Sequence, residues 1–215
     1  MLIRQILITS VILGGFAIAG SSLLALTHKA TEARIQQAQQ AALLRSLHEL
    51  ITPEQSDNEL YHDVIEVTDK ALLGSDKPIR IYRARKQNRP VAALLTPIAP
   101  NGYGGAIKLL VAIQYDGTLA GVRVLAHHET PGLGDGIETE RSDWIYGFNN
   151  HSLGSLSPSE WKVKKDGGKF DQFTGATITP RAIVQAVYQS LNYFQQHRNS
   201  IFVTPSLPRE VAHNE

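Results

Sequence analysis

From Ile6 to Leu26 the chain carries no charged residue, and Ile, Leu, Val, Ala and Phe dominate. A stretch of this kind is long enough to cross a hydrocarbon layer of about 30 Å as a helix. A cleaved signal peptide is the competing reading, since Arg4 supplies a positive start and Ala17-Ile18-Ala19 has the small-residue character of a cleavage site. The apolar run continues past Ala19 to Leu26, which favours a retained anchor over residues 1–28. Gly14, Gly15, Gly20, Ser21 and Ser22 offer small surfaces to other membrane helices. Arg4 before the span and Lys29 and Arg34 after it, with Glu32 between them, leave orientation undecided by charge.

Beyond the anchor, Lys29 to Ile51 is rich in Ala, Gln, Leu and Arg, and Ile35, Ala38, Ala42, Leu43, Leu47 and Leu50 form an apolar stripe. The pattern predicts a helical stalk over residues 29–51. One domain follows over residues 52–195, and the polar, proline-bearing stretch 196–215 reads as a mobile or partner-bound tail. Short strands are expected from Asp63 to Thr68, Ile79 to Arg85 and Val91 to Thr96, with a loop from Gly74 to Pro78. Ile107, Leu109, Val111, Ile113 and Tyr115 alternate with their neighbours, Asp116-Gly117 follows, and a second run extends from Leu119 to Ala126. Asp-Gly between two such runs is a strong hairpin signal. The second strand leads straight into His127-His128-Glu129-Thr130-Pro131-Gly132-Leu133-Gly134-Asp135. Pro131-Gly132 marks a turn there, and the glycines on either side of Leu133 allow close approach to a flat ligand. Gly102, Gly104 and Gly105 ahead of the hairpin suggest a turn, preferred over a close backbone approach, and the segment from Asp143 to Phe148 reads as a short helix with Trp144 in the core. The fold class is therefore α+β: a single transmembrane helix, then one domain with an antiparallel sheet and flanking helices.

Near the C-terminal end stands Asp171-Gln172-Phe173-Thr174-Gly175-Ala176-Thr177-Ile178-Thr179, followed by Pro180. Pro180 suits a first helical position and Thr179 the N-cap. Ile183, Val187, Leu191 and Phe194 then fall on one helical face. Thr177 thus precedes a helix N-terminus, where free N–H groups and the helix dipole favour a phosphate. Taken alone, the stretch reads more readily as a generic helix-capping turn.

Asp-x-x-Thr-Gly-Ala-Thr-x-Thr resembles the flavin-attachment motif of the FMN-binding domain family, found in Rnf-type electron-transport complexes and in the sodium-pumping NADH:quinone oxidoreductase. Glu129-Thr130-Pro131-Gly132-Leu133-Gly134 resembles a second loop of that family, in the expected order. The resemblance implies FMN joined by a phosphoester bond to Thr177. A dedicated flavin transferase places it from FAD, with Asp171 part of the pattern that enzyme reads. Thr174, Gly175, Ala176, Thr179, Glu129, Thr130, Gly132, Leu133 and Gly134 are the matching cofactor-binding positions, with no catalytic residue and no metal. It further implies a single-pass protein of a bacterial inner membrane with a periplasmic domain, working beside membrane subunits and a second flavin-bearing subunit. The complex would move electrons between ferredoxin and NAD, coupled to ion movement, and this chain would relay electrons without substrate chemistry of its own. Its length favours the G subunit of the Rnf complex over the C subunit of the sodium pump.

Lys+Arg 21 against Asp+Glu 20 and the lack of a basic stripe give no support for nucleic-acid binding. The absence of cysteine is compatible with an exported domain. Two rivals remain at this stage. One is a hydrolase or transferase using Thr177 with His127 or His128 as base, which lacks a nucleophile-elbow motif. The other is a non-redox membrane scaffold or regulator. Lys162, Lys164 and Lys165 flank the turn Asp166-Gly167-Gly168 and read as a solvated face.

Overall fold

The computed structural model describes residues 2–208. Two compact units are distinguished, residues 1–44 and 45–215. The helix α1 (Leu2–Leu50) begins in the first and ends in the second; its part in the first presents Ile6, Leu7, Val11, Leu13, Phe16 and Leu24 as exposed apolar side chains. A helix with apolar residues on every side and no protein against them is what a lipid-facing span requires. It is the one helix among the described residues long and apolar enough to cross a membrane.

In the second unit, β1 (Val64–Asp69), a short α2 (Lys70–Leu73), β2 (Ser75–Lys86), β3 (Arg89–Leu95), β4 (Ile98–Gly102), β5 (Gly105–Gln114) and β6 (Leu119–Ala126) precede α3 (Ile178–Val203). All pairings are antiparallel, in the order β1-β2-β3-β5-β4, with β6 on the other edge of β5. β3 pairs with Val111 to Gln114 and β4 with the start of β5, so the two share one edge end to end. Asp116-Gly117 closes the β5–β6 hairpin as expected, with Gly117 at φ +97, a value glycine adopts without strain.

Ile107, Leu109, Val111 and Ile113 are fully buried and join the same core as Ile183, Val187, Leu191 and Phe194 of α3. The period-two face of the strand and the 3.6-period face of the helix are both legible in the sequence and meet here. The opposite face of β5, with Leu110 and Ala112, is also buried. The last turn of α1 covers part of it: Leu50 lies close enough that a Cβ on Gly121 would come within 2.7 Å of its Cδ2. Only this end of the predicted stripe is buried; Ile35 is exposed.

Three expectations change. The predicted loop from Gly74 to Pro78 is largely strand, because β2 begins at Ser75 and Gly74 is instead the left-handed C-cap of α2. β4 is a further addition, since Gly102 reads as part of a turn; its strand character comes from pairing with β5. The stretch read as a tail from residue 196 is helix through Val203, with Ile201 and Phe202 buried. Arg83 of β2 donates to Ile201 O at 2.9 Å and Thr204 O at 2.5 Å, and Arg85 to Phe202 O at 2.8 Å. Two arginines thereby satisfy carbonyls that a helix C-terminus leaves unpaired. Residues 209–215 of the expected tail lie outside the described residues.

Candidate functional site

The two loops singled out in the sequence meet at one buried hydrogen bond. Glu129 is 5% exposed and Thr179 fully buried, and Thr179 Oγ1 donates to Glu129 Oε2 at 2.5 Å. The other carboxylate oxygen accepts the N–H of Gly104, from the β4–β5 turn, at 3.0 Å. Glycines make the enclosure possible. A Cβ on Gly134 would fall 2.7 Å from Oε2, and one on Gly102 2.7 Å from Oε1. On Gly104 it would collide with His128 O at 2.0 Å. The glycines near Tyr103 thus serve both as a turn and as a close approach, and their partner lies too far along the chain for local sequence to reveal it.

The upstream loop is held from both ends. Leu133 and Gly134 donate to Thr130 O at 3.1 and 3.0 Å, with Gly132 at φ +79, and Asp135 Oδ1 accepts the N–H of Gly132 at 2.8 Å. This is the turn that Pro131-Gly132 signalled. Its outer surface is open: Leu133 is 50% exposed. His127 Nδ1 accepts the N–H of Glu129 at 3.0 Å, so its Nε2 carries the proton and donates to Glu138 Oε1 at 2.9 Å. Both nitrogens are committed, which leaves His127 unsuited to act as a base on Thr177. His128 is exposed.

The downstream loop turns at Phe173–Ala176, closed by Ala176 N–H to Phe173 O at 3.1 Å, with Gly175 at φ +80. Trp144, half-buried, donates from Nε1 to Asp171 O at 2.7 Å and meets Phe173 edge-on at 5.3 Å. It packs against the core and props this loop. Asp171 is exposed and paired with Lys164 at 2.6 Å, and Arg181 with Asp166 at 2.6 Å. Lys162, Lys164 and Lys165 face solvent.

The helix α3 begins at Ile178, so the N-cap is Thr177 rather than Thr179, and Pro180 stands third in the helix. The register differs from expectation because the hydroxyl of Thr179 is drawn inward by Glu129 and cannot cap. Thr177 makes no side-chain capping bond and is half-buried. Thr174 is exposed before the turn, while Ala176 is half-buried and Gly175 exposed. Of the expected site residues, Thr174, Gly175, Thr130, Gly132 and Leu133 therefore line accessible surface, whereas Glu129, Thr179 and Gly134 lie beneath it.

This donor set fits a flavin phosphate: an uncommitted hydroxyl at the positive end of a 26-residue helix, beside an open glycine turn. The exposed apolar side chains of Leu133 and Ile178 suit a flat ring. The fold and the paired loops define an FMN-binding domain, and the family model of that description matches residues 102–192. A second model, the RnfG N-terminal region, matches residues 1–50. The chain is 51% identical over 191 residues to the G subunit of the ion-translocating oxidoreductase complex of Pseudoalteromonas atlantica, covering 89% of each chain. It is 46% identical over 212 residues to the G subunit of the same name from Pseudomonas aeruginosa, covering 99% of this chain and 97% of that one. The Vibrio cholerae G subunit is 46% identical over 195 residues, covering 91% and 93%. The chain belongs to the G-subunit family of ion-translocating oxidoreductase complexes.

Proposed function

We propose that this subunit relays electrons through FMN esterified by its phosphate to Thr177 Oγ1, in a membrane complex that exchanges electrons between ferredoxin and NAD while moving ions. The observation that carries the reading is the uncapped Thr177 hydroxyl at the N-terminus of α3, next to the Gly175 turn. Bound FMN supplies reversible electron-transfer chemistry that no side chain here provides. The helix N-terminus offers backbone N–H groups to the phosphate. Leu133 and Ile178 give the ring apolar contact. Glu129 and Thr179 act beneath the surface, holding the two loops together.

Attachment requires a flavin transferase and FAD. Thr177 Oγ1 would be the acceptor of the flavin-side phosphoryl group, with AMP as the leaving group and the hydroxyl proton taken by a base of the transferase. The exposed pair Asp171–Lys164 is available for that enzyme to grip. The apolar span over residues 6–26 suits a bilayer, and in this reading the membrane is a bacterial inner membrane with the domain on its periplasmic side. A covalent tether keeps the flavin from being lost there.

Intact mass and in-gel flavin fluorescence under denaturing conditions test the attachment. Wild type and Thr177→Ala are each co-expressed with the transferase. The expected result is a mass gain of FMN minus water, with fluorescence that vanishes in the variant. An unmodified wild type beside an active transferase would overturn the reading.

A further inference from the structure

We propose that the Glu129–Thr179 hydrogen bond selects Thr177 as the acceptor, making Glu129 a positioning residue for flavin attachment. The inference rests on the covalent reading above and adds to it a cause for the choice of residue.

Three threonines, Thr174, Thr177 and Thr179, lie in one short run, and their hydroxyls are chemically alike. Only their surroundings distinguish them. Thr179 is fully buried, and its proton is committed to a carboxylate that is itself 5% exposed. Hydrogen bonds to a charged acceptor are about twice as strong as neutral ones. Glu129 cannot follow Thr179 outward, because Gly104 holds its other oxygen and Gly102 and Gly134 pack against it. The anchor is thus built from the β4–β5 turn and the 127–134 loop, and it grips the first turn of α3.

Fixing Thr179 fixes the rotation of the helix start. Thr177 already has helical angles, φ −70 and ψ −27. Residues two apart on a helix are separated by about 200° around its axis, since each advances by about 100°. With Thr179 turned inward, Thr177 is turned outward, beside Ile178, which is 46% exposed. Thr174 is also accessible, but the Gly175 turn separates it from the N–H groups of the helix end. Glu129 therefore withdraws one candidate hydroxyl and presents another, and the phosphate-binding end of the helix excludes the third.

Full-length Thr179→Val, Thr179→Ser and Glu129→Gln chains, each co-expressed with the transferase, test this. Flavin per chain is read by in-gel fluorescence, the labelled residue by peptide mass mapping, and folding by thermal unfolding of unlabelled protein. Valine keeps the shape of threonine and removes the donor; it is expected to lower labelling of Thr177 about tenfold, or divert label to Thr174. Serine is expected to restore labelling at Thr177. Glutamine can accept from Gly104 and donate to Thr179, so it is expected to fall between the two. Wild-type labelling of Thr177 in Thr179→Val would overturn the inference. Should that variant not fold, wild-type labelling in Glu129→Gln, together with a Thr179→Ser no better labelled than Glu129→Gln, would overturn it instead. Fluorescence persisting in Thr177→Ala with Thr179 intact would overturn the attachment reading itself.

Discussion

Arg83 is buried to 2% exposure and forms an ion pair with Asp63, while its remaining N–H groups reach Ile201 O, Thr204 O and Ser206 Oγ. One guanidinium from β2 thus joins the start of the sheet to the end of α3. Replacing it removes a buried charge, takes one partner from Asp63 and leaves the buried Ile201 O without its donor. Arg83→Met is expected to cost about 3 kcal/mol, the lower end for breaking a buried pair, because Arg85 still serves Asp63. Chemical denaturation of the detergent-solubilised chain measures the loss. Limited proteolysis should show earlier cleavage in the last turns of α3 in the variant.

The same pair gives the domain an acid sensitivity. Burial pushes the Asp63 carboxyl up, but hydrogen bonds from Arg85 and Ser206 and the charge of Arg83 outweigh it and hold the group below its ordinary value. A carboxyl depressed on folding contributes stability above its unfolded value of about 3.9, and that contribution is lost as pH falls through the lower, folded value. Thermal unfolding of the wild type should therefore weaken below about pH 4. Asp63→Asn should start from a lower Tm at neutral pH and show a shallower decline in acid.

Two neighbouring glycines should respond differently to the same methyl group. Alanine at Gly134 drives a Cβ to within 2.9 Å of the Glu129 Cβ and 2.7 Å of its Oε2. The cost of such overpacking is about 1–3 kcal/mol, and flavin incorporation should fall with it. Alanine at Gly132 meets open space, but φ +79 remains to be strained, at about 1–2 kcal/mol. Gly132→Ala should lose stability while keeping most of its label. Denaturation midpoints and in-gel fluorescence on both variants separate the two effects.

Leu133 is a side chain whose loss ought to be silent in folding. It is half exposed, so Leu133→Ser should stay within about 0.5 kcal/mol of wild type. If the ring rests on it, the emission of native, labelled protein should shift and become more accessible to a soluble quencher. Identical quenching in both proteins would remove Leu133 from the site.

Elements whose partners are near in sequence are readable from it. The β5–β6 hairpin announces itself through alternation and Asp116-Gly117, and the inward face of α3 through its spacing. The turn at Pro131-Gly132 is equally local. What escapes depends on distant partners. β4 has weak strand character and is made a strand by Ile107 and Lys108 across from it. The stretch from residue 196 looks polar enough for a tail, and Arg83 and Arg85 of β2 secure it. Thr179 has the composition of a cap, yet its partner sits 50 residues upstream. The same remoteness hides the part played by Gly104. Local pattern therefore locates the threonine run, while the separate surroundings of its three threonines require the assembled domain.

The distance along the chain between Glu129 and Thr179 has a consequence for the order of maturation. A contact closing a loop of that length forms only once the sheet and α3 have come together, and such long-range closures come late in folding. Before that point the three threonines are interchangeable segments of a flexible strand; afterwards one of them stands apart. In the proposed scheme the transferase would meet its acceptor only on a finished domain. On that scheme flavin loading would double as an inspection step, leaving incomplete chains colourless and outside the electron path.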